Sequence, residues 1–197
     1  MTFADIEYDD VTFKALKQPG VSLQGRKFQY CTFNDCAFTE GQLHACTFMD
    51  CTFNNCDLSL CNLRDSAFAR VEFVACKLMG VNWAEIDQTN QFFKPFDFLA
   101  CNLSYGTFIG LELRKIRLTD CTALDADFAE ADLTEAICIG TDFNESRFLH
   151  TDLSKADFTG AKNYRIVPDL NTLKGAKFSL PEALSLLRNM EIELVDD

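Results

Sequence analysis

The chain has 197 residues, a mass of 22.2 kDa and a net charge of −12 at pH 7, which fits one domain with a substantial core. The negative charge argues against a protein that binds nucleic acid or an anionic membrane directly, and it favours a basic partner. The chain contains no run of about 18 apolar residues, and its first residues lack the pattern of a signal peptide. We therefore expect a cytoplasmic protein whose ten cysteines stay reduced.

A repeat of five residues runs through most of the chain. Of the 32 positions in steps of five from Phe3 to Phe158, 28 are Phe, Leu, Tyr or Trp. The residue two places before each of these is usually small, and nine of the ten cysteines occupy that position. A period of five fits neither a helix nor a strand. It predicts a chain that turns a corner every five residues, so that four sides close one coil and stacked coils share a core.

The late repeats carry a family resemblance. The segments ADFAE, ADLTE, TDFNE, TDLSK and ADFTG match the motif A(D/N)LXX, and the chain therefore resembles the pentapeptide-repeat proteins over residues 21–161 and, less regularly, 3–13. The resemblance implies an all-β solenoid, a right-handed quadrilateral β-helix. We place this β-helix at residues 1–162 and a C-terminal capping and dimerisation module with a short helix at residues 163–197.

Two stretches interrupt the repeat. Residues 14–20 (KALKQPG) contain a Pro-Gly pair and are predicted to form a bend or loop. Residues 84–96 (AEIDQTNQFFKPF) put Gln at a central position and Phe96 where a small residue belongs. The second stretch has two interpretations, a harmless bulge or a projecting recognition loop. In the second case the candidate partner contacts are Phe92, Phe93, Lys94 and Phe96.

The cysteines are interpreted as small buried core residues. Positions that lie one four-sided coil apart should stack, which predicts one column of Cys36, Cys56 and Cys76, and a second in which Cys101 adjoins Cys121. Zinc sites use ligand pairs two to four residues apart, whereas these cysteines fall five apart on successive sides. We therefore predict no metal and no cofactor.

Negative charge is concentrated in the late repeats. Residues 119–160 contain ten acids against Arg147 and Lys155 alone. The four-sided coil predicts stacked acids in this region, and the candidate acidic DNA-mimicking face consists of Glu112, Asp125, Asp132, Glu145 and Asp152. One interpretation is solubility and protection of the β structure. The other is a negative face that occupies a DNA-binding surface on another protein.

The segment SLPEALSLLRNM (179–190) is predicted to form a helix that begins with a capping box of Ser179 and Glu182. The helix would cap the solenoid, and its apolar face is a candidate homodimer interface. This face consists of Leu180, Leu184, Leu187 and Met190. The following segment EIELV alternates like a short strand.

No catalytic constellation is visible, so we expect no enzyme. The stretches CNLSYGTF (101–108), GVNWAEI (80–86) and LKGAKFSLPEALSLLRNMEIELV (173–195) resemble the topoisomerase-protecting group of pentapeptide-repeat proteins, which includes the Qnr quinolone-resistance proteins, MfpA, AlbG and McbG. The resemblance implies a homodimeric rod that binds DNA gyrase, and topoisomerase IV as a further target, without binding nucleic acid or membrane itself. It would shield the enzyme from quinolones or from a gyrase-targeting peptide toxin. The alternative is a non-catalytic structural or scaffolding module with no topoisomerase role.

Overall fold

The computed structural model describes residues 3–89 and 94–188, and for Arg188 only the backbone. These residues form a parallel β-solenoid of about eight turns, which confirms the predicted fold. Each side of a coil is a short strand or a single β-bridge, and it pairs in parallel with the same side of the next coil, as Phe13 does with Phe33. The strands are β1 (Glu7–Asp9), β2 (Thr12–Lys14), β3 (Ser22–Gln24), β4 (Lys27–Gln29), β5 (Thr32–Asn34), β6 (Gln42–His44), β7 (Thr47–Met49), β8 (Thr52–Asn54), β9 (Ala67–Ala69), β10 (Val71–Val74), β11 (Phe96–Leu99), β12 (Leu118–Thr119), β13 (Asp157–Phe158) and β14 (Lys177–Phe178).

The coil has four faces, numbered here in chain order. The first face contains the sheet β2-β5-β8-β10-β11-β12, and the fourth contains β1-β4-β7-β9. The second face is centred on Phe38, Leu58, Leu78 and Leu103, and the third on Leu23, Leu43, Leu63 and Trp83. The fourth face continues in the later coils with Leu113, Leu133 and Leu153.

Most corners of the coil are one residue in the left-handed region, with φ between +50° and +74°. Asp, Asn and Gly tolerate this conformation best, which explains their frequency at every fifth position. The corner N–H donates to a carbonyl of the next coil, as Asp35 does to Asn54 at 2.9 Å. The corners therefore satisfy their backbone donors and leave the interior free for apolar side chains.

The interior consists of columns of stacked side chains. On the first face the rings of Phe33 and Phe53 lie 4.4 Å apart and almost parallel, and Phe13 and Phe73 extend the column at 4.8 and 4.9 Å. Stacked aromatic pairs contribute about 0.5–1.5 kcal/mol beyond the area that they bury. The large central residue of each repeat thus binds one coil to the next.

All ten cysteines are buried free thiols, and most of them donate a hydrogen bond to the backbone. Cys61 Sγ donates to Phe38 O at 3.0 Å, and Cys56 Sγ to Phe33 O at 3.4 Å, in each case to a carbonyl of the preceding coil. The Ser66 hydroxyl makes the same bond to Leu43 O. The position two residues before the central residue therefore selects a small hydrogen-bond donor as well as a small volume.

The stretch 14–20 is not a bend or loop. Gln18 N–H donates to Ala37 O at 2.9 Å and Gly20 N–H to Thr39 O at 2.8 Å, so this side of the coil is regular. Pro19 occupies the position before the corner. At this position in other repeats, the N–H bonds to a side chain of its own repeat rather than to the next coil, so proline removes no bond between coils.

The coils extend beyond the predicted boundary at residue 162. Strand β14 pairs with β13. The bridge between Arg147 and Arg165 is two residues shorter than the regular coil length, and a 3₁₀ turn at Pro168–Leu170 restores that length. The helix α1 (Leu184–Arg188) follows.

The predicted capping box does not form at the start of α1. Ser179 Oγ accepts from Gly160 N–H at 2.7 Å, and Glu182 Oε1 accepts from Asn163 N–H at 2.6 Å. These backbone donors lie at corners where another full coil would otherwise supply a carbonyl. The two side chains therefore cap the end of the solenoid rather than the helix.

Candidate protein-interaction surfaces

The fourth face contains an insertion of one repeat length. Asp87 N–H donates to Ser66 O, as the register of the early coils requires. Arg70 N–H instead donates to Lys94 O, which lies one repeat later than this register requires. Pairing then continues with an offset one repeat longer than in the early coils, as Val71 of β10 pairs with Phe96 of β11. The extra repeat therefore lies between Asp87 and Lys94, within the predicted irregular stretch.

Because of the insertion, the cysteines stack differently from the prediction. Cys76 N–H donates to Cys101 Sγ at 3.4 Å, so Cys101 and Cys121 continue the column of Cys36, Cys56 and Cys76 instead of forming a second one. The reason is the longer offset at this coil, which the five-residue phase of the sequence conceals.

The four residues predicted as partner contacts at the insertion have different outcomes in the structure. Phe92 and Phe93 lie outside the described residues. Phe96 is fully buried, with its ring 4.7 Å from that of Trp83, so its prediction as a surface contact is wrong. Phe96 fills a position that is small in most repeats, beside Trp83, and it serves the core. Lys94 is one-third exposed.

A network of charged side chains holds Lys94. The buried carboxylate of Asp97 accepts from Lys94 Nζ at 2.6 Å and from Arg117 N–H and Nε at 2.8 and 2.9 Å. Arg117 also binds Glu72 at 2.7 Å. These ion pairs therefore link the C-terminal end of the insertion to side chains from three successive coils of the first face.

A cavity of about 520 Å³ opens beside the insertion on the fourth face. Its apolar walls include Phe68, Ile86 and Leu113, and Lys94 and Arg114 lie at its polar side. The rod is therefore concave at this point, between the early and late coils of the fourth face.

The predicted acidic face consists of two separate columns. Glu112, Asp132 and Asp152 pair by parallel bridges on the fourth face, as expected from the four-sided coil. Asp125 and Glu145 occupy the corner between the second and third faces. The third face lies between the columns, so they form its two borders rather than one surface.

Cations from neighbouring coils neutralise half of the late acids, contrary to the expectation of a segment with few opposing charges. Lys115 and Lys155 flank Glu135 at 3.6 and 3.3 Å, and Arg114 binds Asp132 at 2.6 Å. Similar pairs involve Asp127, Glu145 and Asp157. Within the described part of the chain, five late acids form no ion pair: Asp120, Asp125, Glu130, Asp142 and Asp152.

Half of the late acids also have a structural role. The Oδ1 atoms of Asp132 and Asp152 accept the N–H two residues later at 2.9 Å, and the same bond occurs at Asp127, Asp142 and Asp157. This local bond stabilises the turn into the corner. Asn can make it too, as Asn102 does, so the motif requires the oxygen atom but not the charge.

Hydrogen bonds and cations lower the pKa of several carboxyl groups. The hydrogen bond from Lys155, together with the charge of Lys115, lowers the pKa of Glu135. Bonds from Thr159, and then from Lys177, lower the pKa of Asp157. These acids therefore remain ionised at neutral pH and below.

The C-terminal end presents apolar side chains. Leu180 is 76% exposed, and Leu184 and Leu187 are each more than one-third exposed. Leu186 packs against the core instead. Met190 and the predicted strand EIELV lie outside the described residues. Three of the four predicted dimer residues are thus on the surface.

The described residues contain no group of three or more His, Cys, Asp and Glu side chains that could hold a metal ion. In the same part of the chain, no helix has the length and hydropathy needed to cross a membrane.

Two family models match the sequence. One, described as a pentapeptide repeat region, matches residues 26–105, and the other, described as pentapeptide repeats, matches residues 126–162. Together they cover more than half of the chain. The chain is a pentapeptide-repeat protein. No curated protein matches it by sequence.

Two solved pentapeptide-repeat structures are similar to this pentapeptide-repeat protein. Trypsin-treated QnrB1, described as a plasmid-mediated fluoroquinolone resistance protein, has a TM-score of 0.63 and 21% identity over 96% of this chain and 92% of that chain. HetL, described as involved in heterocyst differentiation regulation in the cyanobacterium Nostoc sp. strain PCC 7120, has a TM-score of 0.70 and 15% identity over 89% and 86%. At these identities the similarity shows a shared fold.

Proposed function

We propose that this pentapeptide-repeat protein is a DNA mimic that binds DNA gyrase, with topoisomerase IV as a second target, and protects the enzyme from quinolones or from a gyrase-targeting peptide toxin. The observation that carries the proposal is the pair of acidic columns along the late coils. Adjacent coils are about 4.8 Å apart, so two columns present one carboxylate per about 2.4 Å of rod. Duplex DNA carries one charge per about 1.7 Å. The carboxylate spacing of the columns is therefore similar to the charge spacing of DNA, and the ion pairs at Glu112, Asp132 and Glu145 reduce the net charge that a basic groove would meet.

The residual charge supports this proposal. Asp125 and Asp152, one in each column, have no ion pair among the described residues and keep their negative charge uncompensated by a neighbouring cation. The description of QnrB1 as a fluoroquinolone resistance protein is consistent with the drug named in the proposal. Within the proposal, the cytoplasm is the location, the insertion touches the enzyme, and the C-terminal leucines pair two subunits.

The test is a gyrase supercoiling assay in which the purified protein is titrated with and without ciprofloxacin. We expect the protein to restore supercoiling in the presence of the drug. The double variant Asp132→Asn, Asp152→Asn removes charge but keeps both turn bonds, and we expect it to protect less well. Asp57→Asn is the matched control, since Asp57 Oδ1 makes the same turn bond to Ser59 N–H in an early coil. No protection well above the enzyme concentration, or equal loss in the control, would contradict the proposal.

The alternative is a scaffolding module without a topoisomerase role, and the structural use of the late aspartates favours it. Deletion of residues 88–92 discriminates between the two. It removes one repeat length and brings Phe93 to the central position after Asp87, so the register of the early coils is restored. The topoisomerase proposal predicts lost protection by a stable protein. Unchanged protection would show that the insertion makes no contribution to binding.

A further inference from the structure

A further surface lies on the corner between the second and third faces, in the coils before Asp125 and Glu145. Two large apolar side chains are exposed there, Leu60 at 56% and Tyr105 at 58%. Both occupy the left-handed corner position, with φ of +58° and +62°. Bulky side chains are disfavoured in this conformation, whereas Gly, Asn and Asp are accepted. Core packing does not account for either residue, because both point to solvent.

The two side chains belong to one apolar stripe, defined here as Leu60, Gly80 and Tyr105. Leu60 N–H donates to Met79 O and Gly80 N–H to Ser104 O, so the three residues follow one another on successive coils. Leu60 leans over Gly80, since a Cβ built on the glycine would lie 2.6 Å from Leu60 Cδ2. Glycine thus leaves room for the Leu60 side chain to lie along the corner between the leucine and the tyrosine.

An acidic residue lies at the same corner next to each end of the stripe. Glu40 lies one coil before Leu60, and Asp125 lies one coil after Tyr105. Both are exposed, and neither forms an ion pair with any residue that the structure describes. Four coil steps of about 4.8 Å separate them, a distance of about 19 Å.

We propose that the apolar stripe docks a segment of a partner protein with an apolar centre and cationic ends. Leu60 and Tyr105 supply the apolar contact, and exposed tyrosines are frequent anchors of protein interfaces. Glu40 and Asp125 pair with a lysine or arginine at each end of the segment, and a cation can also stack on the Tyr105 ring. The span corresponds to about 13 residues of helix or about six residues of strand.

The docking surface shares Asp125 with the acidic columns, but its apolar contacts, Leu60 and Tyr105, play no part in the topoisomerase proposal. The stripe lies across the rod from the corner that holds Lys94 and the end of the insertion. The partner is defined by its charge and hydrophobicity, and the variants that test the stripe differ from those that test the acidic columns.

The probe is a phage-displayed library of random peptides of about 16 residues, long enough to span the stripe as a helix. The library is selected on the full chain, and the dissociation constants of selected peptides are measured by fluorescence anisotropy. Leu60→Asn and Tyr105→Asn remove the apolar contact and place a residue that suits the left-handed corner. Tyr30→Asn is the matched control, because Tyr30 is 53% exposed at φ +51° on the opposite corner.

We expect the selected peptides to share an apolar centre with Lys or Arg at both ends. Their affinity should fall about tenfold or more for Leu60→Asn and Tyr105→Asn, equivalent to at least about 1.4 kcal/mol, and stay unchanged for Tyr30→Asn. Failure to select this pattern, equal loss in all three variants, or no loss in any of them would overturn the proposal.

Discussion

Asp132 offers the clearest separation of the structural and electrostatic roles of the late acids. Its Oδ1 accepts from Thr134 N–H at 2.9 Å, and its carboxylate binds Arg114, whose side chain is 64% exposed, at 2.6 Å. Asp132→Ala removes both interactions, whereas Asp132→Asn keeps the turn bond. A lost hydrogen bond costs about 1 kcal/mol, and an exposed ion pair contributes about 0–1 kcal/mol. Asparagine also relieves repulsion from Glu112 and Asp152 in the same column.

We therefore expect Asp132→Ala to lower the free energy of unfolding by about 1–1.5 kcal/mol and Asp132→Asn by less than about 0.5 kcal/mol. For a chain of this length, a loss of about 1 kcal/mol lowers Tm by roughly 2–4 °C. Urea denaturation followed by circular dichroism measures both variants against the unmodified protein. If asparagine destabilises as much as alanine, the charge rather than the turn bond stabilises this position. If alanine has no effect, the turn bond contributes nothing, and the reasoning fails.

Four further predictions follow from buried groups. Cys61→Ala removes a thiol bond to the backbone and should cost about 1–2 kcal/mol in urea denaturation, whereas Cys61→Ser keeps a donor and should cost less; equal losses would contradict the role of the bond. Asp97→Ala leaves Lys94 and Arg117 without their shared carboxylate. It should lower the free energy of unfolding by about 2 kcal/mol, a value discounted for the exposure of the two cations. An unchanged Tm would show that the network does not stabilise the fold. Burial raises the pKa of the Cys51 thiol to about 12, above that of the unfolded chain at about 8.5. The folded state therefore keeps the proton that the unfolded state loses, so the thiol adds no pH dependence below about pH 8.5 and stability should fall as the pH rises above it. Thermal unfolding between neutral and alkaline pH checks this direction. Ellman's reagent should react with ten thiols only in denaturant, and rapid reaction of the native protein would show that they are not buried.

Most of the fold could be predicted because the five-residue repeat determines two things at once. It determines which side chains face the interior, as Phe33 and Phe53 do, and where each corner falls, as at Asp35. An offset of one coil then places Asp132 between Glu112 and Asp152. These features depend on local periodicity alone, so a single sequence is sufficient.

The insertion could not be resolved in this way because its length equals one repeat. The unusual residues of the stretch 84–96 mark an irregularity, but the five-residue phase continues through Gln88 and Phe93 and does not show that the coil at this point is one repeat longer than the others. The predicted second cysteine column and the predicted exposure of Phe96 both failed for this reason. Only the pairing of β10 with β11 reveals the change of register.

The charge pairs do not follow from the numbers of acids and bases along the chain, because the partners lie on neighbouring coils. Lys115, Glu135 and Lys155 lie one coil apart from one another and therefore stack on one corner. The signal was present in the sequence, since opposite charges at the same one-coil separation recur at Asp157 and Lys177. The one-coil separation therefore predicts this neutralisation as well as the acidic columns.

The proposed DNA mimicry is tested most directly by competition between this protein and DNA for gyrase. Purified gyrase is bound to a fluorescently labelled linear duplex, and the protein is titrated while anisotropy is followed at two salt concentrations. We predict complete displacement of the duplex by the protein, with an affinity that weakens as the salt concentration rises. A duplex that stays bound at saturating protein, or an absence of any interaction with gyrase, would contradict DNA mimicry.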